Sequence, residues 1–579
     1  MCGFVVNAHI QGVDQSDGRR ALETMRHRGP DDEGEWYDQS SKCWLGHQRL
    51  SIIDLSQAGR QPFSDPSGRY HLVFNGEIYN YLELKEELNR HYPFSTSTDT
   101  EVLLAAYLNW GETCLPRLVG MFAFAIWDAK EQKLFAARDR FGVKPLFFSE
   151  HKCGGLQLAS EIKALHALGV PRDPDEQTWC TYLRDRVYDH EESTFWKHIR
   201  RLMPGHLLRW TAGSTPVCAT WYDLEETIRC AGIDARTDEQ VGEDLEDILY
   251  EALLWRFRSD VPVGICLSGG LDSSLLFGLV RRHFLSGDDL QAFTFYCGDE
   301  RYDETPWVEA MVRDTSVHVN YCLLSVGEVP SLAQAVQAVQ DEPFGGLPTL
   351  GMAKVHQRAR DLGVSVLLDG NGMDEGWAGY EYYDRAASVH NGQAPVQGTQ
   401  SPSAENYVLK PEFARLTPVW EPTLPFNEPL LNLQYRDLVQ AKIPRAMRFA
   451  DRVSMMYSRE LREPFLDHRL VELGLRQPQA RKIRNHQGKW LIRRVAESLL
   501  PQHISEAPKR AVQTPQREWL RGPLAIWAED CIETALSGWG ANWLDASEAK
   551  QAWRNYRDNG ADNSFPFWQW INMGLMQQR

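Results

Sequence analysis

A cysteine stands second in this chain, so removal of Met1 would leave a thiol and a free α-amine on one residue, Cys2. A thiol is only slightly ionised at neutral pH, whereas an α-amine with a reference pKa of about 8 can take its proton directly or through one water. Cys2 is thereby a self-contained nucleophile and base suited to attack on an amide carbon. Partners for it follow within the next hundred residues. The alternation Tyr70-His71-Leu72-Val73-Phe74 reads as a strand that ends in Asn75-Gly76-Glu77. Asn75 offers a side-chain amide and Gly76 an unhindered backbone N–H to one point, the geometry of an oxyanion hole; the same Asn-Gly pair is also a hairpin signal. Arg49 and Asp99 have the charges to clamp a zwitterionic amino acid, guanidinium on α-carboxylate and carboxylate on α-ammonium, or to form a surface ion pair.

A different chemistry is encoded further along. Val261 to Leu267 is an apolar run suited to a buried parallel strand, Ser268-Gly269-Gly270-Leu271-Asp272-Ser273-Ser274 breaks it, and Leu275 to Phe284 reads as a helix. Strand, glycine turn and helix start make a phosphate cradle, in which backbone N–H groups and the hydroxyls of Ser268, Ser273 and Ser274 would hold a pyrophosphate. The turn lacks the Gly-Lys-Ser/Thr ending of a Walker A loop and the three spaced glycines of a dinucleotide fingerprint. A simpler role for Asp272 and Ser273 is to cap the helix. Strands predicted at Gln291 to Cys297 and Val364 to Leu368 continue a β-α alternation, and the latter ends in Asp369-Gly370-Asn371-Gly372-Met373-Asp374-Glu375. Ligands of open α/β sheets bind at strand C-terminal ends, so the two loops should face each other, with Asp272 and Asp374 sharing a magnesium ion on a triphosphate.

The elements that must position these groups divide into two domains, expected at 1–210 and 237–579 with a linker over 211–236. At 579 residues, 43% hydrophobic and 24% charged, the chain can bury more than one core. Its net charge of −17 argues against a general nucleic-acid or membrane surface. Eleven cysteines without zinc-type pairing favour reduced thiols, and with no signal peptide ahead of Cys2 and no apolar run of about 18 residues a cytoplasmic protein is expected. The stretch 388–406, rich in Gly, Gln, Ser and Pro, reads as a loop near the second site or an inert insertion.

The first half resembles the class II, N-terminal-nucleophile (Ntn) glutamine amidotransferases. The matching residues are Cys2-Gly3, Arg26 to Asp31, His47 to Ser51, Asn75 to Asn80, Ser97 to Glu101, Gly120 to Phe124, and Arg138-Asp139-Arg140 followed by Gly142 and Lys144-Pro145-Leu146. The resemblance implies an αββα sandwich, which strands at Met121 to Trp127, Lys133 to Ala137, Pro145 to Ser149 and Leu156 to Ser160 would suit. It implies that Cys2 is the nucleophile, that Asn75 and Gly76 hold the oxyanion, and that Arg49, Asn75, Glu77 and Asp99 bind glutamine. Ser268 to Ser274 is similar to the pyrophosphatase-type loop of enzymes that adenylate their substrates. With Asp451 to Met455, Arg462 to Asp467 and Gly488 to Leu491, nearly the whole chain resembles the glutamine-hydrolysing asparagine synthetase family. The C-terminal domain should then be a parallel-sheet, adenine nucleotide α-hydrolase-like fold with a helical C-terminal part. Its ATP and pyrophosphate would be held by Leu267, Ser268, Gly269, Gly270, Asp272, Ser273, Ser274, Phe295, Asp369, Gly370 and Lys489, and Mg2+ by Asp272 and Asp374. Small-molecule partners and a homodimer are expected.

One departure bears on the acceptor. The family's loop usually reads Ser-Gly-Glu-Gly-Ser-Asp-Glu, and its first glutamate is associated with forming and aminating an aspartyl-adenylate. Here Asn371, a neutral amide unable to take that proton, occupies the catalytic position. Glu342 or Glu375 could stand in as base. Phe295 also stands where a smaller residue is usual beside adenine. Relatives that amidate uronic acids vary in this region and share the look of Lys509 to Pro515. The readings are therefore amidation of aspartate, amidation of another carboxylate such as a sugar uronate, and a silent glutamine-binding regulatory protein; Cys2 and Asp272 together argue against the last.

Overall fold

The computed structural model describes residues 2–9, 11–38, 43–151, 154–284, 290–313, 315–388, 407–509, 514–560 and 563–578. From residue 389 on, the predicted loop at 388–406 lies outside them, as do 510–513 of the segment after Lys509.

Two six-stranded antiparallel sheets form the N-terminal half. Gly3–His9 lies inside the first, hydrogen-bonded to Cys43–Arg49 on one side and Gly155–Ala159 on the other. Tyr70–Ile78 pairs with Gly120–Asp128 in the second. Alternating residues of both sheets, among them Phe4, Val6, Leu45, Val73, Ala125 and Trp127, interleave as a dry layer between them. Leu22 and Trp179, from the helices Gln15–Glu23 and Glu176–Asp185, cover the outer face of the first sheet, and Asp99–Trp110 covers that of the second. This is the αββα sandwich expected from the sequence. The strand predicted to end at Asn75 instead continues to Ile78, with Asn75 opposite Ala123 and Gly76 opposite Phe122. Pairing to a neighbouring strand overrides the turn preference of Asn-Gly, and the open position at Gly76 is needed because a Cβ there would meet the Met121 carbonyl at 2.1 Å.

Residues 211–236, the stretch expected to join the domains, carry the strand Val217–Thr220, which still pairs within the second sheet, and the helix Leu224–Ala231. Beyond them a five-stranded sheet, every pair parallel, runs in the order His318–Leu323, Gln291–Tyr296, Val263–Cys266, Val366–Leu368, Glu460–Arg462. The first and last of these strands were not read from the sequence. His318–Leu323 alternates exposed and buried residues at an edge, and Glu460–Arg462 is three residues long and charged at both ends. Helices follow, with one short antiparallel pair, Ile483–Arg484 with Gln487–Gly488. Among the helices Ala525–Ser537 and Phe565–Gln577 pack so closely that a Cβ on Gly574 would meet the Cys531 carbonyl at 2.0 Å.

The two halves are joined by more than chain. Asn572 Nδ2 donates to the Tyr182 hydroxyl at 3.1 Å, and Leu50, Ile52, Tyr79 and Met121 share one apolar cluster with Val366 and Met455. All ten described cysteines are free thiols, and among the described residues no helix is long and apolar enough to cross a membrane.

Candidate active site

Cys2 sits at the edge of the interleaved layer and is 7% exposed. Its backbone nitrogen donates to Asn75 Oδ1 at 3.0 Å, its carbonyl accepts from Arg28 Nε at 2.8 Å, and its Sγ lies 4.0 Å from the Leu50 carbonyl. Asn75 is fully buried, and because its oxygen faces Cys2 its Nδ2 is left without a hydrogen-bond partner. A buried amide donor with no acceptor is costly unless something binds there, and an oxyanion forming on an acyl group at Cys2 would supply the acceptor.

Glu77 and Asp99 lie close by. Asp99 opens its helix beneath the Thr98 cap and accepts from the Ile78 N–H at 2.9 Å. Burial pushes its carboxyl up to about 7. Burial also drives Glu77 well above the usual range, helped by Glu460 and Asp99, although Arg462 Nη2 is 3.9 Å away. Arg49, expected to hold the α-carboxylate, donates from its guanidinium to the carbonyls of Ser56 at 2.8 Å, Asp54 at 2.5 Å and Ile53 at 3.3 Å. Arg49 thus shapes the 53–56 loop beside the site, and both it and Asp99 are buried rather than paired at a surface.

The second constellation gathers at the C-terminal ends of the parallel strands. Between Val263–Cys266 and the helix Leu271–His283, the Ser268 backbone N–H donates to Ser273 Oγ at 3.1 Å and the two serine hydroxyls lie 3.0 Å apart. Gly269 adopts φ +70° with Trp307 where a side chain would go, so the turn needs glycine twice over. Gly270 caps the helix, and Ser274 is fully buried behind the turn. Leu267, Ser268, Ser273, Phe295, Asp369 and Asn371 line one cavity of about 300 Å³. Phe295 fits because Gly351 leaves it room; a Cβ there would fall 2.6 Å from the ring. The far wall was not foreseen. It comes from Met352 on Leu347–Asp361 and from Ala446, Phe449 and Val453 on Ile443–Met455, ordinary helix-core residues whose sequence carries no sign of a ligand.

Gly370 approaches within 3.2 Å (from an added Cβ) of Asp272, so the two loops do face each other. Asp272 and Asp374 converge on Lys489, whose Nζ is 2.6 Å from both oxygens of the first and 2.5 Å from Oδ1 of the second. Lys509 Nζ lies 2.5 Å from the other Asp374 oxygen. Although burial opposes it, these two ammonium groups hold Asp374 well below the usual carboxylate range. Lys489 itself adopts φ +59°, a strained conformation for a side-chain-bearing residue and one that recurs where function requires it. Among the described residues no group of three or more His, Cys, Asp or Glu is poised to hold a metal ion. Asn371 Nδ2 donates to Asp369 Oδ2 at 3.0 Å and to Glu463 Oε1 at 3.3 Å. The two candidate bases stand elsewhere. Glu342 is 3.0 Å from Arg201 at the domain boundary, and Glu375 accepts from the Tyr380 hydroxyl at 2.7 Å.

Arg28 links the two sites. Fully buried, it bonds the Cys2 carbonyl, Glu161 at 2.8 Å, and Asp451 at 2.8 and 3.0 Å, and Asp451 belongs to the helix that walls the second cavity.

Comparison with known proteins agrees with both halves. Residues 1–222 match a glutamine amidotransferase domain and residues 244–578 the asparagine synthase family. Asparagine synthetase [glutamine-hydrolyzing] 1 of Bacillus subtilis (strain 168) is 28% identical, with 98% of this chain and 95% of that one aligned. Asparagine synthetase [glutamine-hydrolyzing] 3 of the same organism is 29% identical over 90% of this chain and 89% of its own. A protein named Amidase chry2, from Gibberella zeae, is 28% identical over 87% of this chain and 86% of its own. The chain belongs to the asparagine synthase family of ATP-using ligases and carries a glutamine amidotransferase domain over its first 222 residues.

Proposed function

We propose that the protein transfers the amide nitrogen of glutamine to a carboxylate that it first activates with ATP, the acceptor being aspartate and the product asparagine. The observation that carries this is the cavity in which the serine-glycine turn, Phe295 and the 369–371 loop meet, walled by the helix that Arg28 ties to Cys2. Once Met1 is removed, Cys2 attacks the glutamine carboxamide, Asn75 Nδ2 and the Gly76 N–H receive the oxyanion, ammonia leaves, and water releases glutamate from the thioester. Asp99 and Glu77 offer negative charge to the α-ammonium. In the second cavity the Ser268–Ser274 turn receives the pyrophosphate portion of ATP and Phe295 stacks on adenine. The acceptor carboxylate takes the α-phosphorus and pyrophosphate departs; ammonia arriving through the interior then displaces AMP. Holding the acyl-adenylate within the cavity limits its exposure to water.

Asp272 and Asp374 already converge on one cationic point, so they fit a divalent cation completed by phosphate oxygens. Magnesium bound there would offset triphosphate charge. Lys489 neutralises the two carboxylates in the free protein and is placed to move onto the departing pyrophosphate.

A second reading, amidation of another carboxylate such as a sugar uronate, is favoured by the neutral Asn371 at the cavity. Pyrophosphate release measured with aspartate and with uronic acids separates the two; efficient aspartate-dependent release by the unmodified protein removes the second. The two-site scheme is tested by Cys2→Ala, which should reduce glutamine hydrolysis to background while amide formation from ammonium salts persists. Retained glutaminase activity, or ADP and orthophosphate as products, would overturn the scheme.

A further inference from the structure

The scheme needs a group to take a proton from nitrogen, and at Asn371 there is none. From the structure we infer that Glu463 is the catalytic base of the amination step, replacing in space the carboxylate that the 369–375 loop lacks. This rests on the acyl-adenylate reading above.

Glu463 immediately follows the last sheet strand, Glu460–Arg462, and enters the turn Pro464–Leu466. That turn is pressed against the 369–372 loop: the Asp369 N–H donates to the Arg462 carbonyl at 3.0 Å, and a Cβ on Gly372 would fall 2.5 Å from Leu466. The packing brings Glu463 Oε1 to 3.3 Å from Asn371 Nδ2, so its carboxyl group is one side chain away from the position Asn371 occupies on the cavity wall. Its second oxygen, Oε2, is buried without any hydrogen-bond partner. A buried carboxyl oxygen left bare is expensive, and it is kept at a place where a proton donor must arrive. On its other side Glu463 lines a small cavity with Tyr79, Met121, Val143 and Arg256, residues from both halves of the chain. It therefore stands behind Asn371, between the glutamine half and the nucleotide cavity, whereas Glu342 and Glu375 make their bonds to Arg201 and Tyr380.

The step balances. Neutral ammonia forms a bond to the acyl carbon, the carbonyl electrons move to oxygen, and the nitrogen, now positively charged, gives one proton to the ionised Glu463. Collapse of the oxyanion then breaks the carbon–oxygen bond to phosphate, AMP leaves with the bonding pair, and the product is a neutral amide. Burial and the neighbouring Asp369 drive the Glu463 carboxyl well above its usual range, so its ionised form is a stronger base while making up a smaller share of the resting group. Asn371 donates to both Asp369 and Glu463 and so fixes the spacing of the two carboxyl groups.

The test uses the full-length protein with ATP, magnesium chloride and either L-aspartate or D-galacturonate, following the pyrophosphate burst and amide formation separately. Glu463→Gln keeps the shape. It should retain glutaminase activity and a single-turnover pyrophosphate burst, yet lose amide formation about 10²- to 10⁴-fold from glutamine and from ammonium chloride alike, the range expected for loss of a general base. Adding Asn371→Glu to Glu463→Gln puts a carboxylate on the cavity wall one side chain away and should recover at least about tenfold of the loss, which a purely structural role for Glu463 would not allow. Amide formation in Glu463→Gln within about threefold of the unmodified protein, or a burst lost together with the amide, overturns the assignment. A different failure, no pyrophosphate burst from the unmodified protein with either acid, removes the acyl-adenylate reading and this inference with it.

Discussion

In the N-terminal half the nucleophile and the oxyanion groups lie on or next to strands paired within the sheets. Cys2 precedes a strand paired with two neighbours, and Asn75, Gly76 and Glu77 lie in mid-strand against Ala123, Phe122 and Met121. In the C-terminal half most candidates sit on turns and helix starts beyond strand ends, and the two acidic groups rest on lysines. The difference follows from the ligands. An oxyanion on one carbon needs two donors fixed in advance, and a sheet interior fixes them. A nucleotide triphosphate brings several charges at once, and a site that must receive them keeps its own buried carboxylates paired until it does, because an unpaired buried charge costs several kcal/mol.

Arg28 is where the two designs touch, and removing it should give the largest effect. Arg28→Met preserves bulk but leaves Glu161 and Asp451 buried with one cation fewer, in a region where breaking a buried pair costs about 3–5 kcal/mol. Denaturant unfolding should show that loss, and both glutamine hydrolysis and pyrophosphate release should fall together. If only one of them fell, the link between the halves would not run through this residue.

A matched pair of glycine substitutions tests rigidity against tolerance. Gly76→Ala places a Cβ 2.1 Å from the Met121 carbonyl at φ +154°, where neither backbone can retreat, and overpacking of that kind costs about 1–3 kcal/mol. Glutaminase activity should be lost. Gly370→Ala meets Asp272 Cβ at 3.2 Å and the Ser273 nitrogen at 3.3 Å, so the two loops need separate by only a few tenths of an ångström, and glutaminase should be untouched while the KM for ATP rises. Equal effects of the two on stability would remove the contrast between the halves.

How much of this was legible in the sequence follows the same division. The strand, turn and helix around Ser268 to Ser274 could be read because all their determinants are adjacent, and the cavity does gather Leu267, Ser268, Ser273, Phe295, Asp369 and Asn371. The strand through Gly76 was read short, since Asn-Gly is a local turn signal and the partner strand that overrides it begins at Gly120. Arg49 and Asp99 were singled out by charge and by the family resemblance, and neither reveals that Arg49 also serves three carbonyls of its own loop. The contacts of Lys489 with Asp272, Arg28 with Asp451 and Asn371 with Glu463 span 217, 423 and 92 residues, and no local pattern encodes such pairs.

The smallest effect is a pH dependence confined to one half. Asp99 is pushed up to about 7 by burial, partly offset by the Ile78 N–H. Between its ordinary value of about 3.9 and the raised one, the folded protein holds a proton here that the unfolded chain does not; Asp99 therefore contributes stability at acid pH that is lost as pH rises through about 7. Binding runs the opposite way. The α-ammonium of glutamine needs the ionised form, so affinity should rise with pH up to about 7 and weaken about tenfold for each pH unit below it. Asp374, held well below the usual range by Lys489 and Lys509 against its burial, stays ionised across the same interval, so ATP binding should show no such slope from this residue. Calorimetry on Cys2→Ala, which binds glutamine without consuming it, measures Kd from pH 5.5 to 8.5 free of the chemistry at the thiol. Asp99→Asn in that background should bind weakly and without the slope. A Kd for glutamine in Cys2→Ala that stayed flat over the interval would show that Asp99 does not carry the ammonium, and would leave Glu77 as the group to test.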